Sequence, residues 1–369
     1  MKGWRALAAA SLVTFSFLRD ARADDLPAEP ERLFYKGYDY GSQSLYNPIT
    51  VLLNRGFDTL QLRPRNRSMW GQPMLLNLEN VLDNVTHPGR AVRLQGGFDK
   101  FARTELFPLT WTPRASRWVP NYTLHLIGGG QTYRQLTEWY DAHDAPLPVA
   151  WSIATLYLAA FTNEAIENQN VEGPNTDAIA DLMVFDLAGI LLFSINPVAR
   201  FFAHSVIVMD WSLQPAFTSL DGTLHNVGNY YAMKVPVPLH PPLRLFAYAG
   251  YATEFGLSYK VGEYSLSAAG GVRFSNFLNA GEGAVVNTVN TKAAGSVFFD
   301  RNDSLLASIQ VADITDYFLN ANVYPNAFFK SDFGFFFVAS RDMAHFAGGV
   351  SYRHALGVGL GTSTLIVGE

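Results

Sequence analysis

The chain has 369 residues, of which 49% are hydrophobic, 14% are aromatic and only 16% are charged. This composition excludes a disordered chain and a coiled coil, because both need far more charge. The net charge of −5 and the lack of a long basic stretch exclude a typical nucleic-acid-binding protein. Cysteine is absent, which excludes disulfides, thiolate metal sites and a cysteine nucleophile.

The first residues, 1–23, have the three parts of a secretory signal peptide. Lys2 and Arg5 give a positive start, residues 6–18 are uncharged and mostly apolar, and the alternate alanines at the end suit signal peptidase. A short membrane anchor is the alternative, but crossing a bilayer takes about 20 residues. We therefore expect export to a bacterial envelope and a mature chain from about Asp24, since eukaryotic secretion commonly brings disulfides.

Residues 24–90 form an N-terminal segment in which one short helix is predicted. Within residues 49–62 the apolar side chains, among them Val51 and Phe57, recur at roughly helical spacing. From Val92 to Gly130 the apolar side chains recur at every second position instead. For example, they alternate with Thr123 and His125. Such alternation predicts strands with two different faces. We therefore expect a β region over residues 91–369.

A helical insert at about residues 131–202 interrupts this β region. Helices are predicted over residues 131–143, 149–168 and 177–194, and the prolines at 146, 148 and 197 mark their boundaries.

Alternation returns repeatedly from about Leu243 to the end of the chain. The clearest stretches are residues 264–274, 304–311, 317–324 and 346–353. Strands of about 9–11 residues with an apolar outer face and small or polar inner positions are typical of a transmembrane β-barrel. The predicted fold class is therefore mainly β with a helical insert: an antiparallel outer-membrane-type β-barrel with helices in the N-terminal half.

A soluble barrel or sandwich is the alternative fold, because its strands also alternate. The dense aromatic side chains at residues 333–337 and the uncharged outward face disfavour it. One feature disfavours the membrane barrel: residues 365–369 lack the final aromatic residue that outer-membrane barrels usually have.

The polar residues that are most out of place lie in two apolar helices. Glu164 interrupts the helix at 149–168, while Asp177 and Asp181 share one face of the next helix at spacing i, i+4. Together with His125 they form a candidate catalytic site, because a buried carboxylate beside a histidine suits general acid–base chemistry. Alternatively, these acids cap helices, pair with arginines or point into a wet barrel interior. No motif indicates a metal or a cofactor, and none is expected.

Between about Tyr122 and Phe217 the chain combines a histidine-containing segment, a Trp-Ser pair opening an apolar helix, acids closing that helix, and a Pro-Asn-x-Asp turn. The residues concerned are His125, Gly129, Tyr133, Trp151, Ser152, Glu164, Pro174, Asn175, Asp177, Asp181 and Gly189. This pattern resembles the core of an uncharacterised family of Gram-negative outer-membrane-associated envelope proteins, a domain of unknown function. The resemblance implies outer-membrane association and brings no catalytic assignment. Where the family tends to have Thr-Pro, this chain has Phe185-Asp186, so the second helix should run unbroken.

Two functions follow from these patterns, and a soluble periplasmic binding protein is a third possibility. The first is an outer-membrane β-barrel protein with a structural, channel or transport-type role, whose helical insert plugs or caps the lumen. The second is an envelope enzyme that modifies lipid or glycan, with His125 as base and Glu164, Asp177 and Asp181 orienting it. Outer-membrane lipid is the expected partner, a small-molecule or lipid ligand stays open, nucleic acid is not expected, and the oligomeric state is undetermined.

Overall fold

In a computed structural model, the chain divides into two units, Met1–Arg32 and Leu33–Glu369. The structure describes residues 31–62, 68–108, 119–168, 173–218, 223–279, 287–354 and 356–365, with the backbone alone over 276–279 and 287–290. The expected signal peptide lies outside the described residues and stays a prediction.

Helices fill the first half of the second unit, and we call residues 48–204 the helical body. Its α-helices are α1 (Pro48–Gly56), α2 (Met74–Thr86), α3 (Pro88–Leu94), α4 (Phe98–Phe101), α5 (Gly130–Ala142), α6 (Pro148–Glu167), α7 (Asp177–Ala180), α8 (Asp186–Ser194) and α9 (Asn196–His204). Turns of 3₁₀-helix lie at Ser42–Leu45 and Asp58–Leu62, and π-helical segments lie at Ala102–Leu106, Val119–Gly129 and Asp181–Phe185. The predicted short helix and the three predicted helices of the insert are confirmed.

The strands predicted between Val92 and Gly130 are wrong, because the described secondary structure in that range is helical. Tyr122 packs edge-on against Phe185 with ring centroids 5.0 Å apart, and Leu126 joins the same apolar cluster. Three alternating apolar residues are too few to distinguish a strand from a helix that is packed on more than one side. His125 therefore lies on a helical segment.

The second half of the chain forms one sheet. Its strands are β1 (Val208–Asp210), β2 (Ala216–Phe217), β3 (Leu224–His225), β4 (Tyr231–Pro236), β5 (Leu243–Ala249), β6 (Ala252–Val261), β7 (Tyr264–Asn279), β8 (Asn287–Arg301), β9 (Ser304–Ala312), β10 (Leu319–Val323), β11 (Phe333–Ala339), β12 (Phe346–Tyr352) and β13 (Gly359–Ser363). The strand order is β1-β4-β5-β6-β7-β8-β9-β10-β11-β12-β13-β2-β3. Neighbouring strands are antiparallel, except that β13 and β2 are parallel.

The expected large antiparallel sheet, with helices in the N-terminal half, is confirmed. The sheet is not closed into the expected barrel, because no described ladder joins β1 to β3 at the two ends of the order. The strands at these ends, β1, β2 and β3, have only two or three residues each.

The two faces of the sheet are the reverse of those in a water-soluble protein, where apolar side chains are the buried ones. On β6 the exposed fractions of Phe255, Leu257 and Tyr259 are 65%, 51% and 49%, whereas those of Glu254 and Ser258 are 1% and 0%. The same reversal recurs on the other long strands. We call the exposed side chains the apolar belt: Leu245, Phe255, Leu257, Tyr259, Leu266, Val297, Ile309, Phe335, Phe337 and Val350. The buried polar side chains include Lys234, Arg244, Ser267, Arg273, Ser296, Asp300, Ser308, Gln310, Asn320, Asn322 and Ser351.

Side chains fill the space on the buried face near β1 and β4. Trp211, Tyr248 and Phe298 are each 0% exposed and belong to one cluster. The ammonium group of Lys234 lies 5.0 Å from the Trp211 ring and donates a hydrogen bond of 2.7 Å to Asp300. Since Lys234 and Asp300 are both fully buried, this ion pair is held within the packed interior.

A side chain from α1 interrupts the hairpin that carries the first four strands. The N–H of Trp211 donates to the carbonyl of Tyr230 at 2.9 Å, and that of Leu213 to the carbonyl of Gly228 at 3.0 Å. At this second rung, the amide of Asn54 accepts from the N–H of Gly228 at 3.0 Å and donates to the carbonyl of Leu213 at 2.9 Å. Asn54 therefore bridges the two strands where the regular ladder stops.

The helical body also covers part of the exposed face of the sheet. Tyr231 lies on the same face of β4 as Val235, which is 41% exposed, yet Tyr231 is fully buried. Its hydroxyl is 2.7 Å from that of Thr132 on α5. A Cβ on Gly128 would collide with the Tyr231 ring, so the absence of a side chain there allows the helix to approach the strand closely.

Candidate functional site

The candidate site is a buried ionic cluster inside the helical body. Arg55 comes from α1, His125 from the Val119–Gly129 segment, and Asp186 begins α8. A guanidinium nitrogen of Arg55, Nη2, lies 2.6 Å from Asp186 Oδ1, and His125 Nδ1 lies 3.3 Å from the same oxygen. The side chains of Arg55, His125 and Asp186 are 5%, 14% and 0% exposed. The carboxylate of Asp186 thus faces two basic groups away from solvent.

The second ring nitrogen of His125 faces another carboxylate. Its Nε2 lies 3.5 Å from Oδ2 of Asp181, whose side chain is 7% exposed. The imidazole therefore has one carboxylate on each side, with Asp186 at Nδ1. These two contacts fix the orientation of the ring.

The carboxyl groups of Glu164 and Asp181 belong to the same cluster. Burial raises the pKa of Glu164 well above its ordinary value, and the charges of Glu167 and Asp177 add to the effect, while a side-chain hydrogen bond with Asp181 opposes it. Burial likewise raises the pKa of Asp181, with further contributions from Asp177 and Glu164. Both carboxyl groups therefore hold a proton more tightly than exposed carboxyl groups do.

A second polar network connects the helical body to the sheet. Asn163 on α6 donates hydrogen bonds of 2.8 Å to Asp58 and 2.9 Å to the hydroxyl of Thr59. The hydroxyls of Thr59 and Tyr251 are 2.9 Å apart, and that of Tyr251 donates to Glu167 at 3.4 Å. Burial, followed by the charge of Glu167, raises the pKa of Asp58 well above its ordinary value. This network ties α6 to the turn between β5 and β6.

The structure brings together three of the four residues that the sequence singled out. His125 lies next to Asp181, which interacts with Glu164. Asp177, the fourth residue, is close enough for its charge to raise the pKa of both Glu164 and Asp181.

Sequence reasoning missed Arg55, Asp58 and Asp186 as site residues. Arg55 lies at the end of an otherwise apolar helix and three residues before Asp58, which was the available signal. Asp186 was visible as an acid inside an apolar helix, but the sequence does not show that its partner is Arg55, 131 positions earlier.

The cluster combines buried carboxyl groups with a guanidinium group and an imidazole. Among the residues that the structure describes, no group of three or more histidines and acids could hold a metal ion. A cavity of about 430 Å³ lies elsewhere, between α2, α3 and the Gly173–Pro174 turn, and His125 does not line it.

Comparison of the chain with family models, curated proteins and solved structures finds no match. The resemblance over residues 122–217 therefore stays a prediction. Within the described part of the chain, no single helix has both the length and the apolar composition needed to cross a bilayer. The helical stretches Asp177–Ser194 and Asn196–His204, bent by 92°, meet that test only as a pair.

Proposed function

We propose that this protein is an outer-membrane β-barrel protein with a structural role and an interior filled by its own side chains. The observation that carries this proposal is the reversed polarity of the sheet: an uncharged apolar belt outside, and Ser, Asn, Gln and charged side chains inside. In water this arrangement leaves the apolar belt unburied, whereas in lipid it is the stable arrangement.

Barrel closure is part of the proposal, and the hairpin described above supports it. β1 and β2 lie five residues apart on one stretch, and β3 and β4 lie five residues apart on its partner stretch. The two ends of the strand order therefore belong to one hairpin. When β1 and β2 are counted as one strand, and β3 and β4 as another, the proposed barrel is a ring of eleven strands. An odd number of strands requires one parallel pair at closure, and the β13–β2 pair is parallel.

A structural role is favoured over an open channel by the packing of the interior. The aromatic cluster around Trp211 and the buried Lys234–Asp300 ion pair fill the buried side of the sheet near β4. The 3₁₀ turn after α1 adds a cap, because Gln61 accepts a hydrogen bond of 3.2 Å from Arg273 on the inner face of β7.

The proposed compartment is the outer membrane, reached through cleavage of a signal peptide near Ala23. The three-part N-terminus and the absence of cysteine support export into a bacterial envelope. The proposed partner is outer-membrane lipid.

The decisive experiment places an arginine on the apolar belt. Leu257→Arg on β6 should weaken folding into phosphatidylcholine vesicles by about 2–4 kcal/mol, the cost of an arginine facing lipid near the bilayer centre. Leu239→Arg is the matched control, because Leu239 is 97% exposed in the turn between β4 and β5. The free energy of folding would be measured by urea titration in vesicles, with heat-modifiable gel mobility as the sign of a closed barrel.

Two results would overturn the proposal. One is equal folding of Leu257→Arg and Leu239→Arg in vesicles. The other is a wild-type chain that stays dissolved and monomeric in plain buffer without detergent.

The second candidate function, an envelope lipid- or glycan-modifying enzyme, has one observation in its favour. His125 lies within 3.5 Å of two carboxylates, which is the environment that a general base needs. Against it stands the burial of the imidazole between those carboxylates. His125→Gln in the native host distinguishes the two functions: loss of an envelope lipid or glycan modification with normal barrel assembly supports the enzyme, and unchanged envelope composition supports the structural role.

A further inference from the structure

The exposed face of α6 is an apolar stripe along much of the helix. Leu147 just before the helix, Trp151 and Leu158 are 74%, 52% and 57% exposed. With Ala154, which is also exposed, they recur at intervals of three or four residues and so share one face. Residues 149–163 contain no charged side chain. A water-facing helix surface normally carries charges at such positions.

A second apolar stripe runs along α8. Val184, Leu187, Leu191 and Ile195 are 36%, 38%, 53% and 52% exposed, again at helical spacing. No charged residue occurs from position 187 to 199. Both stripes therefore leave large aliphatic or aromatic side chains uncovered in this chain.

The position of the helical body relative to the sheet indicates what covers these stripes. Tyr231 shares a face of β4 with the exposed Val235, and residues 128–132 pack over it. At β4 this part of the helical body thus lies on the same face of the sheet as the apolar belt. A helix placed beside that face meets the same surroundings as the apolar belt.

The end of α8 has the geometry of an interfacial boundary. The chain bends by 92° between Asp177–Ser194 and Asn196–His204. The short helix α9 after the bend exposes Phe201 (53%) together with Arg200 and His204. A short helix that combines an exposed aromatic ring with basic side chains suits the boundary between acyl chains and head groups.

We infer that the apolar stripes of α6 and α8 contact lipid acyl chains, so that these two helices lie against the membrane beside the barrel, with α9 at the head-group level. This inference rests on the proposed function, because it takes its lipid from the surroundings of the apolar belt. A second copy of the chain explains the stripes less well, since protein interfaces usually combine an apolar centre with a polar rim, and these stripes lack charged residues along their length.

The chain has no cysteine, so single cysteines can be introduced and spin-labelled without background. We would label Leu158→Cys and Leu191→Cys on the two stripes, in full-length protein folded into phosphatidylcholine vesicles. Leu257→Cys on the apolar belt is the lipid-facing reference, and Leu239→Cys in the β4–β5 turn is the water-facing reference. Power-saturation spectroscopy then compares collision of each label with oxygen, which concentrates in lipid, and with a water-soluble nickel chelate.

Labels at positions 158 and 191 should match the Leu257→Cys label, with high oxygen and low nickel collision rates. A nickel collision rate equal to that of the Leu239→Cys label would overturn the inference and leave the helical body in water. Low collision rates with both reagents would also overturn it, because they would indicate cover by protein. If the Leu257→Cys label itself is in water, the proposed function fails, which separates that failure from the failure of this inference alone.

Discussion

Asn54 offers the sharpest test of how the helical body is joined to the sheet. Its side chain is 3% exposed and makes two hydrogen bonds to the backbone of the hairpin, to Gly228 N–H and to Leu213 C=O. Asn54→Leu has a similar volume but leaves both backbone groups buried without that partner. An unsatisfied buried backbone group costs about 1–3 kcal/mol, so two predict a loss of about 2–6 kcal/mol in the free energy of unfolding.

Asn54→Asp separates the donor from the acceptor. An ionised Asp still accepts from Gly228 but repels the carbonyl of Leu213, so at pH 7 it should be destabilising, as Asn54→Leu is. Once protonated, the acid both donates and accepts, and its stability relative to wild type should recover as the pH falls towards about 4. Asn54→Leu should show no such recovery.

The assay is guanidinium titration of the protein folded in detergent micelles, with wild type measured at each pH. Asn196→Leu is a control, because Asn196 is exposed on α9 and bonds only the partly exposed Arg134 among the contacts described. It should change stability by less than about 0.5 kcal/mol. An Asn54→Leu protein as stable as the control, or an Asn54→Asp protein with no dependence on pH relative to wild type, would refute the bridging role of Asn54.

Three further predictions concern the ionic cluster and its packing. Arg55→Met removes the guanidinium group from the buried Asp186 and leaves only the His125 imidazole beside that carboxylate. It should cost about 3–5 kcal/mol of unfolding free energy, much of which the double variant with Asp186→Leu should recover. Because burial raises the pKa of Glu164, the folded state holds that proton more tightly than the unfolded state, and its contribution to stability is lost as the pH rises through the raised pKa. Glu164→Gln should therefore reduce the decrease in unfolding free energy that wild type shows as the pH rises above the ordinary carboxyl pKa. Gly128→Ala places a methyl group against the Tyr231 ring and should cost about 1–3 kcal/mol, with recovery on Tyr231→Leu.

The same titrations check these predictions, each with its own contradicting result. An Arg55→Met protein no less stable than the double variant would show that the ion pair is not required. A pH profile that Glu164→Gln leaves unchanged would remove that carboxyl from the pH dependence. If Gly128→Ala lowered the free energy of unfolding equally in wild-type and Tyr231→Leu protein, the added methyl group would not be colliding with the Tyr231 ring.

Local patterns in the sequence determined the type of most long elements. The alternation over residues 264–274 and 346–353 identifies the strands β7 and β12 and their inner and outer faces, because side chains on a strand alternate with period two. Apolar runs bounded by proline likewise located α6 and the helix from Asp177 to Ser194.

The same reasoning failed where the local pattern was short. The alternation around His125 covers three apolar residues, and packing against Phe185 and its neighbours makes that segment helical. Residues 204–242 contain unevenly spaced prolines and glycines, and only pairing with β5 and the bridge from Asn54 determine their hairpin.

The composition of the candidate site was decided by contacts between residues far apart in the chain. The sequence suggested that Glu164, Asp177, Asp181 and His125 would converge if the helices packed against the segment that carries His125. Arg55 and Asp186 could not be paired in advance, since 131 positions separate them and no periodicity links α1 to α8. Periodicity records which side of an element is buried, whereas the partner across a buried contact depends on how the elements pack, and only the tertiary structure decides that.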